Sequence, residues 1–181
     1  MDNVMKSSET QVLDRFLSDE ECRVFVARSE SAGYEDSFII SGGKPILARE
    51  IRNNKRVIID DPDLAQDMWL RLKSQLTLTI QGWQPVGLNE RFRFYRYEPR
   101  QLFRLHKDFP YESGALRSFL SLIIYLNDGF EGGETDFRDF KIPPQTGRAA
   151  IFKHELLHEG CAVLSGTKYA VRTDVMFRRN P

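Results

Sequence analysis

The chain has 181 residues, 41% of them hydrophobic and 29% charged, the composition of an ordinary globular protein with one core. Its 26 lysines and arginines are matched by 26 acidic residues, so no global field draws in nucleic acid or an anionic membrane. The opening MDNVMKSSET lacks the apolar stretch of a secretory leader, and no run approaches the ~20 apolar residues of a membrane-spanning helix. The expectation is a cytoplasmic protein without nucleic-acid or membrane partners, in which the distant Cys22 and Cys161 are reduced thiols.

In chain order, residues 1–11 read as a polar tail, and Val12 to Leu17 as a short strand. Ser18-Asp19-Glu20-Glu21 has the form of a capping box, and Cys22, Phe25 and Val26 follow at helical spacing. That helix should run to about Ser31, with Gly33 as its stop. Gly33 to Asp61 holds Gly42-Gly43, Pro45 and the basic residues Arg49, Arg52, Lys55 and Arg56. Those cations read first as a solvated face, and alternatively as a mobile loop or hairpin that lies over an active site and holds substrate. Val57 to Asp60 is a short strand, and Asp61-Pro62 opens a second helix with Leu64, Met68, Trp69, Leu72 and Leu76 on its apolar stripe. It should end near Leu76 to Thr79, with Gly82 to Gly87 as a connection.

From Glu90 the period becomes two. Strands are expected over Arg91–Glu98, Leu102–Asp108, Arg117–Asn127, Thr135–Ile142, Gly147–Lys153, Gly160–Leu164 and Lys168–Arg178. Glycine, proline and Asp-Gly turn signals separate them. The fold class is mainly β (α+β): a barrel or jelly roll braced by two N-terminal helices. The domain reading is a single unit, 1–181, with a helical support region at 12–89 and a jelly-roll core at 90–179.

Within the second of these strands, His106 and Asp108 lie two apart and so share a face. An imidazole and a carboxylate together are two thirds of a facial triad that suits non-haem Fe(II). His154-Glu155-Leu156-Leu157-His158 matches H-E-x-x-H, a zinc protease signature, but that motif needs a helix and its flanks read as strands. His158 serves better as the second imidazole, with His154 structural or supporting. Lys168 opens the last strand; inside a barrel it would need an anion, such as the far end of a dicarboxylate, whereas outside it is a solvated residue.

The segment from Phe92 to Arg178 resembles the catalytic core of the prolyl 4-hydroxylase family of Fe(II)/2-oxoglutarate dioxygenases. The matching stretches are Arg96-Tyr97-Glu98-Pro99-Arg100-Gln101 with His106 and Asp108; Ile124-Tyr125-Leu126-Asn127; Glu131-Gly132-Gly133-Glu134-Thr135; Leu157-His158-Glu159-Gly160; and Gly166-Thr167-Lys168-Tyr169 with Arg172-Thr173-Asp174. The resemblance implies a double-stranded β-helix in which His106, Asp108 and His158 ligate Fe(II). It implies that Lys168 binds the far carboxylate of 2-oxoglutarate with help from the Tyr125 hydroxyl, and that Tyr97 lines the same pocket. Arg172 and Thr173 become wall residues. Arg100 departs from the family, which usually has glycine there.

The implied reaction is hydroxylation of an unactivated C–H bond with O2, giving succinate and CO2, with ascorbate as a possible reductant. The preferred substrate is a prolyl or other peptidyl residue. The alternatives are a hydroxylase of a free small molecule, a non-catalytic metal-binding module of cupin type, and the H-E-x-x-H protease.

Overall fold

The computed structural model describes residues 9–180. Most of the expected tail lies outside that range, but Thr10 and Gln11 already belong to the first strand, β1 (Thr10–Leu13). That strand begins and ends earlier than its sequence pattern suggested. The helix α1 (Asp19–Ala32) follows, with the expected reciprocal cap: the Glu21 N–H donates to the Ser18 hydroxyl and the Ser18 N–H to the Glu21 carboxylate. Gly33 ends it at a φ of 84°.

A short strand β2 (Glu35–Asp36), a hairpin β3 (Ile39–Ser41) and β4 (Lys44–Ile46), and β5 (Lys55–Asp60) lead to α2 (Pro62–Leu72). This second helix is shorter than its apolar stripe. The Gln11 side chain accepts the Thr77 N–H and donates to the Gln75 carbonyl, drawing the chain out of the helical ladder. The expected connection at 82–87 is instead a strand, β6 (Trp83–Leu88), paired with the last strand of the chain. The region read as helical support therefore contributes several strands.

The remaining strands are β7 (Arg91–Tyr97), β8 (Phe103–His106), β9 (Glu112–Ser113), β10 (Leu116–Tyr125), β11 (Glu131–Gly132), β12 (Thr135–Asp136), β13 (Lys141–Ile142), β14 (Ala149–Lys153), β15 (His158–Gly160), β16 (Val163–Ser165) and β17 (Lys168–Arg179). The single strand expected at 135–142 is two short pieces, and the last two strands do not pair with each other: β16 pairs with β11, whereas β17 pairs with β10, β7 and β6.

A major antiparallel sheet runs β1-β14-β10-β17-β7-β5-β2, and a minor one runs β13-β12-β15-β8. This mostly β, two-sheet arrangement is the double-stranded β-helix. One face of the major sheet carries Phe92, Phe94, Leu120, Leu122, Ile124, Ile151, Val171 and Val175 against Cys22, Phe25, Met68 and Leu72 of the helices. The opposite face looks into the space between the sheets. Cys22 and Cys161 are both free. Among the described residues no helix is long and apolar enough to cross a membrane.

One glycine fastens the helical layer to the core. Gly147 has a φ of 76°, and a Cβ there would lie 2.0 Å from the Leu17 carbonyl oxygen. Its own carbonyl accepts the Leu17 N–H at 3.1 Å. Gly147→Ala is expected to lower stability by about 2 kcal/mol or more in chemical denaturation. Gly129→Ala, where the added Cβ meets nothing within 4 Å, is the control and should be nearly neutral.

Candidate active site

The site lies between the sheets. β8 and β15 place His106 and His158 opposite each other in register, with ring centroids 4.3 Å apart. Asp108 lies beyond the end of β8, so strand alternation alone does not deliver it. Its N–H donates to the His154 carbonyl at 3.0 Å, which turns its carboxylate back toward the two rings. Asp108 Oδ1 is 3.8 Å from His106 Nε2, and Oδ2 is 3.8 Å from His158 Nε2. The three ligand-type atoms all lie within 4.8 Å of one another.

The rings are set up to coordinate. Each Nδ1 faces a backbone carbonyl, Arg104 at 2.8 Å for His106 and Leu156 at 2.9 Å for His158. A carbonyl only accepts, so Nδ1 carries the proton and the Nε2 lone pair is left for a metal. Burial lowers the basicity of both rings, and that of His106 falls to about 4. Burial works to raise the Asp108 pKa, but the Arg172 guanidinium, the two imidazoles and the Ser121 hydroxyl hold it below the usual carboxylate range. Two neutral imidazoles and one carboxylate are the donor set of a facial Fe(II) site, so the residues fit that metal.

Residues 154–157 form a turn, not a helix, which removes the geometry an H-E-x-x-H zinc site needs. His154 points elsewhere. Its Nε2 lies 2.8 Å from the Ser118 hydroxyl and its Nδ1 2.9 Å from the Ser121 hydroxyl. Ser121 in turn donates to Asp108 Oδ2. His154 therefore steadies the carboxylate through a serine.

A cavity of about 420 Å³ opens in front of the three residues, a size typical of small-ligand sites. Tyr97, Lys168 and Arg172 line it, together with Tyr95, Thr135 and Arg52. Lys168 is 4% exposed. Its ammonium donates to the Gly133 carbonyl at 2.6 Å and lies over the rings of Tyr97 and Tyr125 at 4.9 and 5.5 Å. Among the described residues it forms no ion pair. The Tyr125 hydroxyl shares a 2.6 Å hydrogen bond with Thr135 Oγ1. If Thr135 donates, the phenol proton is free for an anion.

Thr173 is not a wall residue: it is buried on the opposite face, donating to the Asn89 carbonyl. Arg172 is one, and it bridges Asp108 at 3.3 Å and Asp174 at 2.8 Å. Arg100 takes the left-handed φ of 71° that a glycine would adopt, and its N–H still donates to Val163, so the turn is kept.

Two features go beyond the first reading of the sequence. The chain around Arg49–Arg56 lies at the cavity, as its alternative reading has it, and Arg52 there is buried and lines that cavity. It is also docked, with the Arg104 N–H donating to Ile51 and the Asn53 N–H to Leu102. The Ser118–His154–Ser121 relay had no sequence signal: the two serines lie three apart, and the bulge between Ser118 and Leu120 is what brings them to one face.

Residues 92–173 match the 2OG-Fe(II) oxygenase superfamily. The chain is 23% identical over 188 residues to prolyl 4-hydroxylase 1 of Arabidopsis thaliana; the match covers 88% of this chain and spans only 65% of that relative's length. The fold is that of a viral collagen prolyl hydroxylase from Paramecium Bursaria Chlorella virus-1, solved as a 2OG complex (TM-score 0.67, 23% identity, 94% and 96% of the two chains covered). It is equally that of a prolyl hydroxylase from Trichoplax adhaerens in complex with a hypoxia inducible factor peptide (TM-score 0.72, 16% identity, 93% and 84% covered). Residues 92–173 thus carry the sequence pattern of the 2OG-Fe(II) oxygenase superfamily, on a fold shared with solved prolyl hydroxylases.

The buried imidazoles carry a consequence for stability. Burial holds His106 and His154 near a pKa of about 4. In the unfolded chain the same rings take up protons below pH ~6.5. Stability of the metal-free protein should therefore be full above that pH and decline steadily as the pH falls toward 4. Thermal melts between pH 7.5 and 4.5 measure this, and a flat Tm would contradict it.

Proposed function

We propose that the chain is an Fe(II)/2-oxoglutarate-dependent dioxygenase that hydroxylates an unactivated C–H bond, most naturally of a prolyl or other peptidyl residue. The observation that carries this is one cavity holding both a His-Asp-His cluster and a buried lysine without a carboxylate partner. The prolyl hydroxylases among the relatives support the peptidyl substrate.

His106, Asp108 and His158 would hold Fe(II) through Nε2, one carboxylate oxygen and Nε2. Lys168 would take the far carboxylate of 2-oxoglutarate as a charge-assisted hydrogen bond, with the Tyr125 phenol as a second donor and Tyr97 as the wall. With metal, co-substrate and O2 bound, the centre supplies oxidative decarboxylation that places one oxygen on substrate and leaves succinate and CO2. The chain's own contribution is orientation and exclusion of water. Arg172 and Ser121 keep Asp108 ionised and aimed, and the Nδ1–H bonds fix both imidazoles in the coordinating tautomer. Ascorbate would serve as an external reductant.

A pure metal-binding module has no use for a buried cation beside its metal, and Lys168 is the feature that such a module leaves unexplained.

Anaerobic addition of Fe(II) and then 2-oxoglutarate should give a visible charge-transfer band that requires both and is lost in His158→Ala. Asp108→Ala should bind Fe(II) weakly and form no succinate. Lys168→Ala should keep its iron but need roughly 10–100-fold more 2-oxoglutarate, the size of one charged hydrogen bond. His154→Ala should lower iron affinity about tenfold through the loosened Ser121.

Burial pushes the Lys168 ammonium down to about 8. The carboxylate needs the charged form, so 2-oxoglutarate affinity should hold up to that pH and then weaken by up to about tenfold per unit. Lys168→Ala should lose this dependence. A wild-type affinity unchanged between pH 7 and 9.5 would place the co-substrate's charge elsewhere.

A further inference from the structure

Lys168 is not the only buried cation in the cavity without a carboxylate. Arg52 is 6% exposed and lines the same space. Among the described residues its one side-chain hydrogen bond runs from Nε to the Asn54 side-chain oxygen at 2.9 Å. Nη2 is buried and has no partner. The guanidinium rests over the rings of Tyr95 and Phe103, 5.0 and 4.3 Å from their centroids. Such stacking offsets only part of the cost of taking a guanidinium out of water, so the rings alone do not balance it.

The neighbours add to the imbalance. Arg56 lines the same cavity, half-buried, with no ion pair among the described residues. Arg93 and Arg172 share Asp174, and Arg172 also serves Asp108. If 2-oxoglutarate answers Lys168, no carboxylate among the described residues answers Arg52.

The position suits a reacting ligand. Phe103, beneath the guanidinium, stacks on His106 at 3.5 Å. An anion on Arg52 would sit one aromatic ring from a metal-facing imidazole. The cavity also carries the exposed apolar side chains of Phe38, Ile40 and Phe109. The arginine is held in place beforehand: its N–H donates to the Ala48 carbonyl at 2.9 Å, and Asn53 accepts the Leu102 N–H at 2.7 Å.

We infer that Arg52, with Arg56 beside it, is the seat of a carboxylate carried by the substrate itself, next to an apolar body. This rests on the proposed function only in that the substrate enters this cavity to reach the metal. The carboxylate has two sources: the α-carboxylate of a free or C-terminal amino acid, or an acidic side chain flanking the target residue of a peptide.

The test is calorimetric titration of the protein loaded with Mn(II) and 2-oxoglutarate, which cannot turn over. Two probe pairs differ only in charge: N-acetylproline against N-acetylprolinamide, and a capped Asp-Pro dipeptide against its Asn-Pro counterpart. Wild type should prefer the acid of at least one pair by about tenfold, and the pair that does so identifies the source. Arg52→Gln should abolish the preference and leave 2-oxoglutarate affinity unchanged, while Arg52→Lys retains part of it. Should Arg52→Gln fail to fold, Arg52→Lys and Arg56→Gln carry the test, each with a reduced preference.

Three results would overturn the assignment: no acid bound better than its amide, a preference that survives Arg52→Gln, or a loss of 2-oxoglutarate binding in that variant. If wild type takes up neither metal nor 2-oxoglutarate, the dioxygenase reading falls. An acid preference on the unloaded protein that disappears in Arg52→Gln would then still support the anion seat.

Discussion

The central strands of this protein are covered on both faces, and every other feature follows from that constraint. β10, β17 and β7 lie in the middle of the major sheet, with helices on one side and the minor sheet on the other. Alternate residues must therefore satisfy two different environments. On the helix side that environment is dry and takes Phe92, Phe94, Leu122 and Val171. On the other side the same strands present Arg93, Tyr95, Tyr97, Lys168 and Arg172 to the cavity. The register aligns Lys168 with Tyr97 and Arg172 with Arg93, so the functional side chains form cross-strand pairs rather than a scattered set. A slip of one residue would exchange the core for the site.

The electrostatics of that inner face are uneven by construction. Asp174 is buried and the Asp108 side chain is 7% exposed, and both carboxylates are engaged by arginines. Asp108 is pulled in two directions: it must stay ionised for a metal, yet it is buried. Arg172 resolves this by supplying a fixed positive charge, and Ser121 adds a hydrogen bond. Lys168 and Arg52 are left in excess. Cations desolvated during folding interact more strongly with an arriving anion than cations that must shed water at binding. The cost is borne in the stability of the free protein, which places that strain where ligands relieve it.

Much of this was legible in the sequence because the relevant signals are local. Ser18 and Glu21 specify a cap, Asp61-Pro62 another, and the period-two run after Glu90 specifies strands; all three appear. The H-x-D pair and His158 do converge, although Asp108 arrives by a backbone bond to His154 and not by the pleat. What sequence could not show is long-range. α2 stops at Leu72 because Gln11, more than sixty positions away, captures the following backbone. β6 looks like a glycine-bearing connection until β17 lies beside it. The last residues look like a hairpin, because short strands in succession usually pair, yet β16 and β17 go to different sheets.

The segment 48–54 shows the same limit with a functional consequence. A stretch of arginines and asparagines is read by composition as solvated, since charge usually is. Its asparagines, however, are not spent on water: Asn53 takes the Leu102 N–H, and Asn54 accepts from Arg52 and donates to Lys55. These bonds convert a polar stretch into a fixed wall against β8, and the guanidinium is inserted between two rings as part of that wall. A lid that closed over the substrate would discriminate by what it closes on. A wall docked in advance discriminates by the charge it already presents, with less ordering left to be done at binding. If Arg52 seats a charge of the substrate, selectivity lies in the segment docked against the strand that carries His106, and a change in that segment should alter which substrate is accepted before it alters the metal centre.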